Sequence, residues 1–263
     1  MATARSPLNR QTVAVGVALA AKIAVIASGF WRTQPLAATS IFFGSDLWVL
    51  HGLLYPNATS LMPVVTNFVT PRREVWLTID DGPEPATTPA MLELLEQHDA
   101  RATFFLIGAK VAAHPALVRE ILRRGHSIGN HTQTHPLATF WFAGRQRTEK
   151  EIALCDSALT AAGAPRAEWF RSPAGIKTLW LHRALARNHQ RLVGWSNRGV
   201  EQLSTSAARP LQRLIKGLRP GAILLLHESR PHAVQRLALL SGLLEHLGPA
   251  GYRCVLPAQE HLR

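Results

Sequence analysis

Seven short apolar runs separated by stretches of helical patterning constrain this chain more than any other feature. They lie at Glu74 to Ile79, Ala102 to Ile107, Ser127 to Gly129, Glu168 to Phe170, Arg191 to Trp195, Ala222 to Leu226 and Tyr252 to Val255. Runs this short, bounded by turn residues, read as strands covered on both faces. Strands that alternate with helices imply a parallel sheet. The expected fold is therefore α/β, a distorted (β/α) barrel of about seven parallel strands, with no internal repeat at a fixed period. Several runs stop abruptly at ionisable residues: Asp80 and Asp81 after Ile79, Arg171 after Phe170, and His227 after Leu226. Barrels of this kind build their sites on the C-terminal ends of their strands. Among the helices, Thr88-Pro89 reads as an N-cap followed by proline, and Thr148-x-x-Glu151 as a capping box.

Carboxylates at the end of a buried strand need partners. A candidate partner is His131-Thr-Gln-Thr-His135, whose two imidazoles share one face if the backbone makes a helical turn there. Two histidines and one carboxylate form a three-ligand catalytic metal set, which keeps one position open. The second carboxylate of the pair is then spare for proton transfer. Either motif alone is weak: His-x3-His is common on surfaces, and Asp-Asp-Gly-Pro is good turn chemistry.

In order and spacing, Thr78-Ile-Asp-Asp-Gly-Pro83, Asn130-His-Thr-Gln-Thr-His-Pro136, Arg171-Ser-Pro-Ala-Gly175 and Leu224-Leu-Leu-His227 resemble the motifs of the polysaccharide deacetylase (NodB-homology) family of carbohydrate esterases. The resemblance runs from about Glu74 to Leu256. It implies removal of an N-acetyl group from an amino sugar, with Asp80 as base and Asp81, His131 and His135 as ligands of a divalent cation, zinc being the expected ion. It further implies that Arg171 orients and tunes Asp80, that a backbone amide near Ala174 holds the oxyanion, and that His227 is the acid. These roles suit acyl transfer, in which a carboxylate takes a proton from attacking water and preorganised donors meet the developing negative charge. Two departures from the family pattern stand out. Ala174 occupies a position where an aromatic residue is usual, and the stretch Val193 to Glu201 carries Arg198 where a carboxylate partner for the acid histidine is expected. Glu201 and Glu228 are candidate replacements, whereas a cation near His227 would lower its pKa. A noncatalytic glycan-binding barrel that retains the metal site is the rival reading.

The chain divides at about residue 70 into an apolar N-terminal region, 1–70, and a catalytic domain, 71–263. Arg5 and Arg10 precede the apolar stretch Val13 to Trp31, which carries Lys22 in its middle; a second stretch, Leu36 to Tyr55, is interrupted by Asp46 and His51. A retained membrane anchor is expected, because no small-residue cleavage site follows the first stretch. One crossing would place catalysis outside and two would keep it cytoplasmic, and the basic residues do not choose between them. The formal charge of +12 is spread over dispersed arginines without a nucleic-acid-binding motif. Membrane lipid and a carbohydrate substrate, preferably lipid-linked, are thus the expected partners, not nucleic acid. Phe140-Trp141-Phe142 reads either as an aromatic lip or as packing beneath a loop. Cys155 and Cys254 form a single potential pair and stay unassigned; His126 reads as structural.

Overall fold

The structure, a computed structural model, describes residues 10–201, 206–228 and 232–262; Arg5 lies outside them. In chain order the elements are α1 (Arg10–Ala27), α2 (Phe30–Thr33), α3 (Pro35–Leu54), β1 (Glu74–Gly82), α4 (Thr88–Gln97), β2 (Ala102–Leu106), α5 (Gly108–Ala113), α6 (Pro115–Arg123), β3 (Ser127–Asn130), α7 (Arg145–Ala161), β4 (Trp169–Phe170), α8 (Leu181–Arg187), β5 (Arg191–Leu192), β6 (Asn197–Arg198), α9 (Ala208–Lys216), β7 (Ile223–His227), α10 (Ala233–Leu247) and β8 (Arg253–Cys254). Seven strands form a continuous path, β5-β4-β3-β2-β1-β7-β6, and β8 pairs off it with β1; every one of these pairings is parallel. Only Val193 to Ser196 separates β5 from β6, which sit at opposite ends of that path, so the sheet must curl round on itself. The result is the distorted barrel expected from the pattern. Val65 covers the open edge: its amide bonds Leu192 O at 2.9 Å, and its carbonyl accepts from Gly194 N at 2.8 Å.

The expected fifth run, Arg191 to Trp195, is not one strand. Pairing with β4 stops at Leu192, and the chain then crosses to β7 through Asn197. Val193 and Trp195 are buried inside the barrel; Val193 makes only an isolated parallel bridge to Val65, and Trp195 lines the interior without pairing as a strand. Side-chain alternation along β1 divides the core. Val75, Leu77 and Ile79 pack outward with Met91, Leu95 and Leu240 under the helices. Trp76 faces inward with Phe105, Trp169, Val193 and Ile223, and its indole N–H bonds Thr103 Oγ1 at 2.7 Å. Full burial of side chains this size contributes roughly 1.5–3 kcal/mol each.

Local capping differs from the sequence reading. Helix α7 begins at Arg145 after Gly144, and Thr148 Oγ1 bonds Gly144 O within the first turn. Glu151 therefore cannot close a capping box; it accepts from Thr134 N and Oγ1 instead. Thr88 lies inside α4, one position later than expected, and its hydroxyl serves Glu228. His126 is structural, its Nδ1 accepting from Ala102 N at 3.3 Å. Burial pushes its pKa down to about 4, with the charges of Arg101 and Arg124 adding to the fall. Both cysteines are free and buried.

Helices α1 and α3 pack antiparallel, each long and apolar enough to cross a membrane. Lys22 is paired, with Nζ 2.7 Å from Asp46 Oδ2. The base of the pair is tied to the barrel. Gln11 Nε2 donates to Thr178 O, Lys177 N donates to Leu53 O, and Lys177 Nζ donates to Tyr55 O at 2.6 Å. Phe140 is buried beside Met62 and Leu181, whereas Trp141 and Phe142 are exposed. Packing beneath the loop thus accounts for Phe140.

Candidate metal and catalytic site

Parity places Asp80 on the inner face of β1, two residues after Thr78. Asp81 would ordinarily turn to the opposite face. A bulge prevents this: Asp80 pairs with Phe105 and Gly82 with Leu106, so Asp81 is the extra residue, at φ 74°. Bulges re-aim side chains in this way, and here both carboxylates reach one mouth. Lys110 Nζ holds the bulge by donating to Asp81 O at 2.8 Å.

Arg171 is fully buried and spends its whole fork on the interior. Nη1 donates to Asp80 Oδ1 at 2.7 Å and to Thr78 Oγ1 at 2.8 Å, while Nε and Nη2 reach the carbonyls of Val193 and Gly194. The guanidinium also lies 4.2 Å above the ring of Phe105. Asp80 therefore has one oxygen fixed by Arg171, with Oδ2 3.7 Å from His131 Nε2.

Asp81 Oδ1 stands 3.4 Å from His131 Nε2 and 3.3 Å from His135 Nε2, and it is buried without a hydrogen-bond partner. Burial opposes its charge, but the neighbouring imidazoles, His131 foremost and then His227 and His135, outweigh that and hold it well below the usual carboxylate range. His131 Nδ1 lies 2.7 Å from Arg171 O. A carbonyl only accepts, so Nδ1 carries the proton and Nε2 presents its lone pair. Burial, reinforced by His131, pushes His135 down to about 4, which keeps its imidazole neutral as a ligand requires. Two tetrahedral ligands at about 2.0–2.2 Å from zinc lie about 3.3–3.6 Å apart, so the spacing and the orphaned Oδ1 fit a divalent cation. The histidines do not converge through a helical turn. Residues 131–136 form a loop in which Thr132 and His135 take positive φ. Asn130 Oδ1 bonds Thr132 N, and Glu151 grips Thr134.

His227 ends β7 beside Asp80, and its Nδ1 is 2.7 Å from Glu201 Oε1. Burial lowers the imidazole pKa, but the hydrogen bond and charge of Glu201, with Asp81 and Asp80 behind it, raise it overall. Arg198 lines the same mouth, its guanidinium over the ring of Trp195 at 5.6 Å, but the group bonded to the His227 imidazole is Glu201. Glu201 thus takes the missing carboxylate's place three positions later. Glu228 does not. It is bound to Thr88 Oγ1 at 2.5 Å, and burial pushes its pKa up to about 8. Ala174 sits at φ 50° in the turn Pro173–Gly175 and lines a mouth of about 330 Å³ together with Asp80, Asp81, His131, His135 and His227. Of the residues singled out in the sequence, Asp80, Asp81, His131, His135, Ala174 and His227 meet in this one cavity, with Arg171 buried behind Asp80. Three contributors carried no separate signal there: Thr78 behind Arg171, Glu151 behind the histidine loop, and Leu137 on the rim.

The sequence profile described as polysaccharide deacetylase matches residues 68–204. The chain belongs to the polysaccharide deacetylase family. It is 34% identical over 204 residues to a peptidoglycan-N-acetylglucosamine deacetylase of Bacillus cereus, covering 72% of this chain and 91% of that protein. It is 36% identical to a chitooligosaccharide deacetylase of Bradyrhizobium sp., covering 64% and 76%. Among solved structures, a family 4 carbohydrate esterase from Streptomyces lividans in complex with acetate superposes with a TM-score of 0.65 at 27% identity, covering 76% of this chain and 97% of that one. This polysaccharide deacetylase thus shares its barrel with a carbohydrate esterase.

Proposed function

We propose that this protein is a metal-dependent hydrolase that removes an N-acetyl group from an amino sugar, by preference one carried on a lipid. The observation that carries the reading is the convergence, in one mouth, of an arginine-held carboxylate, a three-ligand cluster and a glutamate-backed histidine. Asp81, His131 and His135 would hold the ion. A divalent cation bound there supplies Lewis acidity for the acyl carbonyl and lowers the pKa of water.

The chain's own groups perform the rest. Asp80, oriented by Arg171, accepts the proton of the water that attacks the acyl carbon. The turn at Ala174 contributes a backbone N–H towards the oxygen that becomes negative, and the contact needs no side chain, so alanine serves. His227, kept protonated by Glu201, delivers a proton from Nε2 to the departing nitrogen as the C–N bond breaks, leaving acetate and the free amine. The Glu201 pairing offers the carboxylate that the fourth motif lacks, which favours catalysis over a noncatalytic barrel. The lipid-linked preference is supported by the apolar helices beside the mouth.

The test is acetate release from N-acetylglucosamine oligomers and from a lipid-linked amino-sugar fraction, before and after chelation and zinc add-back. Metal-dependent release, greater on the lipid-linked fraction, is expected. Full activity after metal removal, or a stoichiometrically metal-loaded protein inert on both pools, would overturn the reading.

A further inference from the structure

The N-terminal helices have a definite relation to the mouth. Helix α1 has 18 residues and α3 has 20, about 27–30 Å at 1.5 Å per residue, which matches a hydrocarbon core of about 30 Å. Ala14 packs near Leu53, Lys22 pairs with Asp46, and Trp31 meets Phe42 edge-on at 5.8 Å. That register runs the helices antiparallel along their whole length and puts the start of α1 and the end of α3 together against the barrel. Exposed apolar residues lie on several sides of the pair, including Val17, Leu19, Ile26, Phe43 and Leu47. An interfacial helix would show a single apolar stripe and a charged opposite face. Trp31 at the turn and Tyr55 at the base are both exposed, the belt positions of membrane proteins. The Lys22–Asp46 pair meets the need of charges in hydrocarbon for a partner.

Pro56 and Asn57 follow α3 after Tyr55 and pack behind the wall of the mouth. A Cβ on Gly175 would lie 2.4 Å from Pro56 Cβ, and Asn57 Nδ2 donates to Trp195 O at 2.7 Å. Trp195 and Ala174 both line the mouth, which therefore opens one short segment from where α3 ends. With the helices paired as a hairpin, the basic residues become informative. Arg5 precedes α1, Arg10 opens it and Arg72-Arg73 follow α3, whereas Arg32 stands alone between the helices; the richer side is the cytoplasmic one.

We infer that α1 and α3 cross the cytoplasmic membrane as a hairpin locked by Lys22 and Asp46, and that the mouth works at the inner leaflet on a substrate presented by that leaflet. The inference deepens the proposed function by excluding extracellular polymers, and it rests on that function only for the identity of the substrate.

The test is labelling of Thr33→Cys in the turn and of Glu93→Cys on the outside of the barrel with a membrane-impermeant maleimide, in spheroplasts of an expressing bacterium. Both positions are exposed, and the native thiols are buried. Labelling of Thr33→Cys in intact spheroplasts, with Glu93→Cys modified only after lysis, is expected. Labelling of Glu93→Cys in intact spheroplasts would overturn the assigned side. Protection of Thr33→Cys until lysis would overturn the two crossings. Neither readout depends on turnover, so failure here is distinct from failure of the hydrolase reading.

Discussion

Replacing Glu201 with glutamine tests the acid half of the site, because it keeps a hydrogen-bond acceptor beside His227 and removes only the charge. The two groups touch at 2.7 Å, with side chains 13% and 6% exposed. Two opposite charges about 4 Å apart at an effective dielectric of about 20 interact by roughly 4 kcal/mol. Part of that offsets the cost of burying the carboxylate, which glutamine does not incur, so about 2 kcal/mol reaches the transition state, close to thirtyfold in kcat/KM at neutral pH. The direction with pH is fixed. Glu201 raises the pKa of His227, so its loss lowers that pKa, and the alkaline fall of kcat/KM moves to lower pH. Glu201→Asp is expected to recover part of the rate and part of the profile. The assay is acetate release across pH 5 to 10 for the three proteins. A thirtyfold loss with an unmoved alkaline limb would refute the reasoning, because it would mean that Glu201 supports the loop and not the charge of His227.

Other consequences follow from the same contacts. Arg171→Met breaks a buried ion pair and should cost about 3–5 kcal/mol in chemical denaturation, with part of the loss recovered in the Asp80→Asn background, where no buried charge is left unpaired. Additive effects in that double variant would count against the pairing. Gly175→Ala places a methyl at φ 71° against Pro56 and Trp195, and should destabilise the domain by about 1–3 kcal/mol and lower kcat, the turn at Ala174 being displaced; an unchanged melting curve would rule out that tight contact. Native Cys254, its thiol pushed up to about 12 by burial, and Cys155, raised by burial as well, should resist thiol reagents until the protein unfolds. Fast native labelling of either would contradict the packing.

Much of the barrel was legible because its strands are covered on both faces and so stay apolar along their whole length. The same signal misled at Trp195, which is buried without being a strand residue, and overreached at Val193, which makes only an isolated bridge to Val65. The charged strand ends were legible as candidates, since Asp80, Arg171 and His227 each break an apolar run. Their geometry was not. The bulge that turns Asp81 has no spacing signature, and the loop joining His131 to His135 mimics a helical interval by positive φ at Thr132 and His135. Arg198 was an incomplete signal: it does line the mouth, over Trp195, but the carboxylate that meets the acid comes from Glu201. Thr148 and Glu151 have capping-box spacing, but tertiary demand on the histidine loop decided how Glu151 is used.

The central claim is that the neighbouring carboxylates divide the work, Asp80 for the proton and Asp81 for the ion. Acetate release and bound-metal stoichiometry measured side by side on Asp80→Asn and Asp81→Asn test it most directly. The account predicts that Asp80→Asn keeps its metal while losing about 10²- to 10⁴-fold in rate, and that Asp81→Asn loses metal and turnover together. An Asp80→Asn protein that turns over at the unaltered rate, or an Asp81→Asn protein with a full complement of metal, would contradict it.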